Sequence, residues 1–170
     1  MILEQGEARR QALFRAGLVV FKRQSVGETK VTDIVREAGV ALGTFYMHFG
    51  SKQAFVAALH QEISTQIDQV VTLEMLHGEQ SPEGQFHALW DGFAQCIAEF
   101  PDALEFLVAS NAPLPLGLAE TLESLGAAGS VTFPAETRPL ILWAFFTVLI
   151  RARQTDRTAL ENACWRAITP

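Results

Sequence analysis

Apolar side chains recur along most of the chain at intervals of three and four residues, the spacing of one face of an α-helix. In the first segment, for example, Leu13, Ala16 and Val20 belong to one such stripe. No alternating pattern of the kind that predicts a half-buried strand competes with it. The pattern therefore predicts an all-α protein with helices at about residues 3–23, 31–38, 42–49, 51–76, 82–100, 118–125, 135–154 and 156–168, and with a shorter helix that follows a break at Pro101 and Asp102 and ends at about residue 110.

Two short helices joined by a glycine lie between residues 29 and 52. The first is predicted to end at Ala38, and Gly39 then follows as a residue that can take a positive φ without steric cost. The second is predicted from Leu42 to Phe49. This arrangement is typical of a helix-turn-helix, in which the second helix enters the DNA major groove.

The second of these helices has an apolar inner face and a mixed outer face. Phe45 and Phe49 are four residues apart, so both point to one side and anchor the helix to its domain. The side chains left on the outer face and its edge are Thr44, Tyr46, Met47 and His48.

These outer side chains can contact DNA. Thr44 and Tyr46 carry hydroxyls for phosphates or base edges, His48 can donate one or two hydrogen bonds, and Met47 offers an apolar contact such as one to a thymine methyl. Gly43 permits a close approach of the backbone. We expect Lys52, at the start of the next helix, to share a phosphate with that helix N-terminus.

Charge is divided unevenly along the chain, although the total is −6. Residues 1–60 hold 8 basic and 5 acidic side chains, for a net +3, which leaves −9 for residues 61–170. Because salt screens distant charges beyond about a Debye length, a positive N-terminal part can still bind phosphates. The charge supports DNA binding only modestly.

The N-terminal motifs resemble the DNA-binding domain of the tetracycline-repressor (TetR) family of bacterial transcriptional regulators. The resemblance covers about forty residues with the correct spacing. It is carried by Phe21, by the run Thr29, Val31, Asp33 and Ile34, by Ala38–Val40, and by the segment GTFYMHFGSK of residues 43–52.

The resemblance implies a homodimer that places its third helix in the major groove of an operator. The positions of Thr44, Tyr46, Met47 and His48 contact DNA in that family. Lys52 matches a residue that holds a backbone phosphate, and Thr32 lies where the second helix often contacts DNA.

The chain departs from the family pattern on the third helix. Ala41 replaces a frequent helix-capping serine, Leu42 stands where a cationic or amide side chain is frequent, and Met47 stands where histidine, arginine or an aromatic residue is frequent. The surface therefore lacks charged groups that discriminate bases. We expect shape-dependent recognition, or help from Lys30, Arg9 and Arg10. The alternative is a protein-interaction module that has lost specific operator binding.

The chain is interpreted as two domains. Residues 1–50 form the helix-turn-helix domain, and residues 51–170 form a helical domain for ligand binding and dimerisation. The run LILWAFFTVLI at residues 140–150 is apolar on every side of a helix, which predicts burial against a partner as well as its own domain. The resemblance implies that the last two helices form this dimer interface.

A small, mainly apolar effector is the expected ligand of the second domain, because no lysine follows Lys52. Aromatic side chains at helical spacing belong to the core more often than they line a pocket, so the residues that follow are only candidates for effector binding. They are Trp90, Phe93, Phe106, Trp143 and Phe146, with His87, Asn111 and Thr147 as polar groups.

Other chemistry finds little support in the sequence. There is no nucleophile motif, phosphate-binding loop or metal-ligand spacing, so we expect no enzyme activity, cofactor or metal.

Cys96 and Cys164 are expected to be buried thiols, with redox sensing as the less favoured alternative. The longest apolar run is 11 residues, against the roughly 20 of a membrane span. With no export signal recognised, we expect a cytoplasmic protein.

Overall fold

The computed structural model of the protein describes residues 2–77 and 81–110. This part of the chain contains helices and connecting turns and no strand, which confirms the all-α prediction for it. The predicted helices at 118–125, 135–154 and 156–168 lie outside the described residues. The helices are α1 (Ile2–Arg23), α2 (Val31–Ala38), α3 (Leu42–His48), α4 (Lys52–His77), α5 (Pro82–Glu99) and α6 (Pro101–Ala109).

The chain divides into two compact units. Unit 1 consists of residues 1–63 and 105–112, and unit 2 consists of residues 64–104 and 113–170. Unit 1 thus extends past residue 50, because α4 contributes the buried side chains of Phe55 and Leu59 beside the helix-turn-helix. The division into functional domains at residue 50 stays a prediction.

Phenylalanine rings form the centre of unit 1. Phe55 has no exposed surface, and its ring lies 5.0 Å from that of Phe49, 5.4 Å from that of Phe45 and 5.7 Å from that of Phe14. These rings come from α1, from α3 and its C-cap, and from α4. The short helix α3 is therefore held by Phe45 and by its C-cap Phe49, as the four-residue spacing of these two residues predicts.

The buried side chains of α4 recur in steps of four residues. They are those of Phe55, Leu59, Ile63, Ile67 and Val71, whereas Val70 is half-buried. This spacing gives the helix one apolar face along its described length.

In unit 2, α5 begins where the sequence predicts. Ser81 caps the helix, since its Oγ accepts a hydrogen bond of 3.1 Å from the backbone N–H of Gly84. The apolar side chains of Phe86, Leu89, Trp90 and Phe93 are buried, and those of Ile97 and of the C-cap Phe100 are half-buried.

Cys96 is fully buried on α5. Burial, helped by the nearby Glu99 charge, raises the pKa of its thiol to about 12. The side chain therefore stays a protonated, small apolar group, as expected. Cys164 lies outside the described residues.

Candidate DNA-binding site

The turn between α2 and α3 is fixed by Gly39, which has φ 67° and ψ 28° in the left-handed region. Its N–H donates to the carbonyl of Arg36 at 3.3 Å, and the N–H of Val40 donates to the carbonyl of Val35 at 3.1 Å. These two bonds satisfy carbonyls that the end of α2 leaves free. The predicted helix end and glycine turn are confirmed.

The start of α2 is held by the carboxylate of Asp33. Its Oδ2 accepts from the backbone N–H of Lys30 at 3.1 Å and from the side chain of Gln24 at 3.4 Å, and its Oδ1 accepts from Arg36 at 2.9 Å. The bond from the Lys30 backbone is the main reason that the pKa of Asp33 lies below its ordinary value. The side chains of Lys30 and Thr32 are exposed at this end of the helix.

The outer side of α3 is apolar and solvent-exposed. Leu42 is 44% exposed, Tyr46 53% and Met47 81%, and Gly43 is exposed beside them. We call these four residues the α3 face. Among the residues whose burial the structure describes, the large apolar side chains left exposed all lie on this face.

The α3 face has a rigid base. Phe45, which has no exposed surface, meets the Tyr46 ring edge-on with ring centres 5.5 Å apart. Thr44 and His48 are half-buried at the margin, and the His48 ring lies 6.1 Å from that of Phe49. Ala41 precedes the helix without a side-chain cap. The predicted contact residues of α3 thus form one surface, with Thr44 and His48 less accessible than the rest.

Lys52 lies at the predicted place, but its ammonium has other partners. The Nζ donates to the backbone carbonyls of Thr29 at 2.8 Å, Val26 at 2.9 Å and Gly27 at 3.1 Å. An ammonium has three N–H donors, so these bonds use all of them. Its predicted phosphate contact stays a prediction, and that contact would have to replace one of these bonds.

Several other basic side chains of unit 1 are paired within the protein. Arg10 lies 3.2 Å from Glu7 and 3.4 Å from Glu62, with its guanidinium 4.7 Å from the centre of the Phe14 ring. Further pairs are Arg23 with Glu37 at 2.9 Å, Arg36 with Asp33 at 2.9 Å and Lys22 with Glu105 at 3.8 Å.

Three cations remain available for phosphates. Within residues 2–77 and 81–110, Arg9, Arg15 and Lys30 are exposed and form no ion pair. Of the residues expected to assist α3, Lys30 and Arg9 are thus free, whereas Arg10 is engaged. Arg15 was not singled out from the sequence, although its place off the Leu13, Ala16 and Val20 stripe indicates an exposed position.

The predicted effector-binding residues are only partly described. Trp90 and Phe93 are buried and His87 half-buried on α5 in unit 2. Phe106 belongs to unit 1, where its ring stacks on Phe21 at 5.2 Å and lies 4.8 Å from His60. Asn111, Trp143, Phe146 and Thr147 lie outside the described residues. The ligand site stays a prediction.

The described residues contain neither a cluster of metal-ligating side chains nor a helix suited to a membrane. No group of three or more histidine, cysteine and acidic side chains there could hold a metal ion. No helix in the same part of the chain is both long and apolar enough to cross a membrane.

Residues 13–59 match the family model of the bacterial regulatory proteins of the tetR family. The chain is also 31% identical over 78 residues to YvdT, an uncharacterized HTH-type transcriptional regulator of Bacillus subtilis (strain 168). This match covers 45% of the chain and 39% of YvdT, so the chain matches well under half the length of that relative.

Solved structures share the fold over nearly the whole chain. A TetR-family transcriptional regulator from Haemophilus influenzae RD, HI0893, is similar with a TM-score of 0.74 and 15% identity, over 96% of this chain and 98% of that one. A gamma-butyrolactone receptor, an ArpA-like protein, is similar with a TM-score of 0.68 and 18% identity, over 98% of this chain and 90% of that one.

The fold and the site show a helix-turn-helix in the N-terminal part of the chain, similar to that of bacterial regulatory proteins. Residues 13–59 are thus similar to the helix-turn-helix region of the tetR family, and the chain shares its fold with a solved TetR-family regulator.

Proposed function

We propose that this protein is a transcriptional regulator that binds double-stranded DNA as a homodimer and represses until a small, mainly apolar effector releases it from a palindromic operator. The observation that carries the proposal is the exposed α3 face, which follows the Gly39 turn within a region that matches the family model. Exposed apolar side chains on a rigid helix are costly in water, so a partner surface for them is expected.

The DNA-binding site consists of the α3 face with Thr44 and His48 at its margin, and of Lys30 and Thr32 at the start of α2. In this arrangement α3 enters the major groove, and the N-terminus of α2 with the exposed Lys30 faces phosphates. Arg9 and Arg15 add positive charge on α1. Lys52 belongs to the site by position, and its role is considered separately below.

Dimerisation through the last two helices supplies the second α3. Two half-sites read by one dimer are about one helical turn, roughly 34 Å, apart. The apolar run at residues 140–150 supports this interface. A charge placed in it, as in Trp143→Arg, is expected to give a monomer by sedimentation, because burying an unpaired cation is strongly unfavourable. A variant that still sediments as a dimer would place the interface elsewhere.

A small apolar ligand is supported by the buried aromatic side chains of α5 and by the similarity to a gamma-butyrolactone receptor. Helix α4 contributes residues to both units, so a ligand that prefers one conformation of unit 2 can act through it on the placement of α3. Such coupling is typically worth about 1–3 kcal/mol, or roughly 5- to 150-fold in DNA affinity.

Selection from random duplexes tests the proposal. Protein is titrated by fluorescence anisotropy against a synthetic pool at low and moderate salt, and the bound fraction is sequenced. We expect an enriched palindrome and an affinity that falls with salt at a log-log slope of about −0.9 for each phosphate neutralised. A synthetic γ-butyrolactone added to the complex then probes release.

The competing function is a protein-interaction module with the same fold. The absence of a cationic or amide side chain on α3, and the use of the Lys52 ammonium by backbone carbonyls, favour it. In that case the pool gives no enrichment and no salt-sensitive binding, and the α3 face docks onto a protein.

A further inference from the structure

The composition of the α3 face restricts which base features it can distinguish. Guanine is read by arginine or lysine and adenine by asparagine or glutamine, through paired hydrogen bonds. The helix LGTFYMH contains none of these four residue types. Its most exposed side chains, Met47 and Tyr46, present a thioether and an aromatic ring.

The C5-methyl of thymine is the one apolar group on the major-groove edges of the bases in unmodified DNA. Leu42 and Tyr46 are four residues apart and lie on the same side of α3, and Met47 adjoins Tyr46. Met47 is 81% exposed and has a flexible, polarisable side chain that adapts to an apolar partner. Leu42 adds a second apolar side chain one turn away.

We propose that this protein recognises its DNA mainly through thymine methyl groups, with Met47 as the principal specificity-determining residue and Leu42 as the second. This inference rests on the proposed DNA-binding function. It predicts that each half-site contains at least one thymine whose methyl is contacted by Met47. Removal of one such methyl is expected to weaken binding about fourfold, which corresponds to about 0.8 kcal/mol.

Uracil substitution removes the methyl and leaves every base-pair hydrogen bond in place. The duplex selected above is remade with deoxyuridine at one thymine at a time, and each version is titrated with the wild type and with Met47→Ala. Synthetic DNA lacks 5-methylcytosine, so any methyl effect belongs to thymine. We expect one position in each half-site to lose about fourfold with the wild type and nothing with Met47→Ala.

The possible failures are distinguishable. If the protein selects a duplex and every uracil version binds within twofold of the parent, recognition does not use methyl groups, although DNA binding stands. If a methyl effect is found but is unchanged in Met47→Ala, another residue reads it. If no duplex is selected, both the methyl inference and the proposed function are wrong.

A different observation concerns Lys52. The helix-turn-helix lies between Thr29, which immediately precedes Lys30 and α2, and Lys52, which begins α4 after α3. The Lys52 ammonium joins these two boundaries, since it donates to the Thr29 carbonyl at 2.8 Å and to two more carbonyls of the same loop. Thr29 itself is buried, and its Oγ1 donates to the carbonyl of Ser25 at 2.9 Å.

We infer that Lys52 is a positioning residue, which holds the α1–α2 loop against the start of α4 and so fixes the helix-turn-helix between them. A phosphate ligand and a positioning residue differ in their salt dependence. Loss of a phosphate contact lowers the log-log salt slope by about one unit. Loss of a positioning contact weakens binding by a similar factor at every salt concentration.

The test compares Lys52→Met, Lys52→Arg and Lys30→Ala on one duplex, well below the unfolding temperature of each variant. We expect Lys52→Met to lose roughly threefold to tenfold in affinity with an unchanged slope, in line with the net worth of one or two hydrogen bonds. Lys52→Arg, which keeps donors for the carbonyls, should recover most of that affinity. Lys30→Ala, with its exposed and unpaired ammonium, should flatten the slope by about 0.9.

A slope that falls by about one unit in Lys52→Met would overturn the inference and assign Lys52 to a phosphate. Folded Lys52→Met that binds as the wild type would also overturn it, because the bonds to the loop would then serve stability alone.

Discussion

Gly17 on α1 faces the ring of Phe55 on α4 so closely that a methyl group at Gly17 would lie 2.6 Å from Cζ and 2.9 Å from Cε1 of that ring. Phe55 has no exposed surface, and the rings of Phe14, Phe45 and Phe49 surround it. The ring therefore has little room to move. The absence of a side chain at Gly17 is what allows α1 and α4 to pack this closely.

Gly17→Ala is expected to destabilise the protein by about 1–3 kcal/mol, as is usual for an overpacked core. The natural control is Gly6→Ala on the same helix, where an added methyl meets nothing within 4 Å. That change should stabilise by about 0.5–1 kcal/mol through helix propensity. Chemical denaturation of the two variants measures the change in the free energy of unfolding that each methyl group causes. Equal changes in the two variants would mean that the Phe55 ring does not restrict the space at Gly17.

A methyl group added at Gly43, on the α3 face, is expected to change the DNA affinity of the protein without lowering its stability. An added methyl there also meets nothing within 4 Å, so Gly43→Ala should leave the fold as stable as the wild type or slightly more stable. If the α3 backbone approaches DNA closely, the methyl should lower affinity roughly tenfold or more. Denaturation and anisotropy on one protein sample check this, with Gly6→Ala as the control. Undiminished affinity would show that Gly43 does not approach the DNA.

His60 is expected to make stability depend on pH below neutrality. Its Nε2 lies 2.8 Å from Ser110 Oγ, which in turn donates to the carbonyl of Phe106 at 2.7 Å. With its proton directed to Phe106, the hydroxyl can accept a hydrogen bond from Nε2 of the neutral imidazole. Burial lowers the pKa of His60 from its ordinary value of 6.5.

Between that lowered pKa and 6.5, the unfolded chain binds a proton that the folded chain does not. The neutral ring thus contributes its full stability above pH 6.5, and stability falls as the pH falls through this window. Denaturation between pH 7.5 and pH 5 should show a smaller decrease in His60→Gln than in the wild type. Ser110→Ala, which leaves the ring half-buried, should keep the decrease. Identical profiles for wild type and His60→Gln would remove His60 as the cause.

Arg15 and Arg23, both on α1, allow a comparison of an arginine without an ion pair and one that is paired, as candidates for phosphate contacts. Arg15 is exposed without an ion pair in the described part of the chain, whereas Arg23 lies 2.9 Å from Glu37. We expect Arg15→Ala to flatten the salt dependence of DNA binding by about 0.9 if Arg15 faces a phosphate, and Arg23→Ala to leave it nearly unchanged. The two log-log slopes measure this. Flattening by Arg23→Ala alone would mean that the pair with Glu37 opens on DNA.

The local part of the fold could be predicted from the sequence because its signals are local. Gly39 marks the end of α2, Ser81 and Pro82 mark the start of α5, and the spacing of Phe45 and Phe49 gives the buried side of α3. The helix α3 ends at His48, one residue before the predicted end, because Phe49 adopts an extended conformation with φ −135° and ψ 122°.

The long-range partners of charged side chains could not be predicted, because they lie far away in sequence. The carbonyls bound by Lys52 lie 23 to 26 residues earlier, and Arg10 pairs with Glu62 across two helices. Phe106 illustrates the same limit for apolar residues. Helical spacing indicates that it is buried, but only the fold shows that its neighbours are Phe21 and His60.

The most direct test of DNA recognition by α3 is a comparison of two affinities, for the selected duplex and for a shuffled duplex of the same base composition. We predict that the wild type prefers the selected duplex at least a hundredfold, within the usual range for specific DNA binding. The double variant Tyr46→Ala, Met47→Ala should bind both duplexes nearly equally while keeping the salt dependence. A double variant that retains the preference, or a wild type that shows none, would contradict the assignment of the α3 face as the surface that recognises DNA.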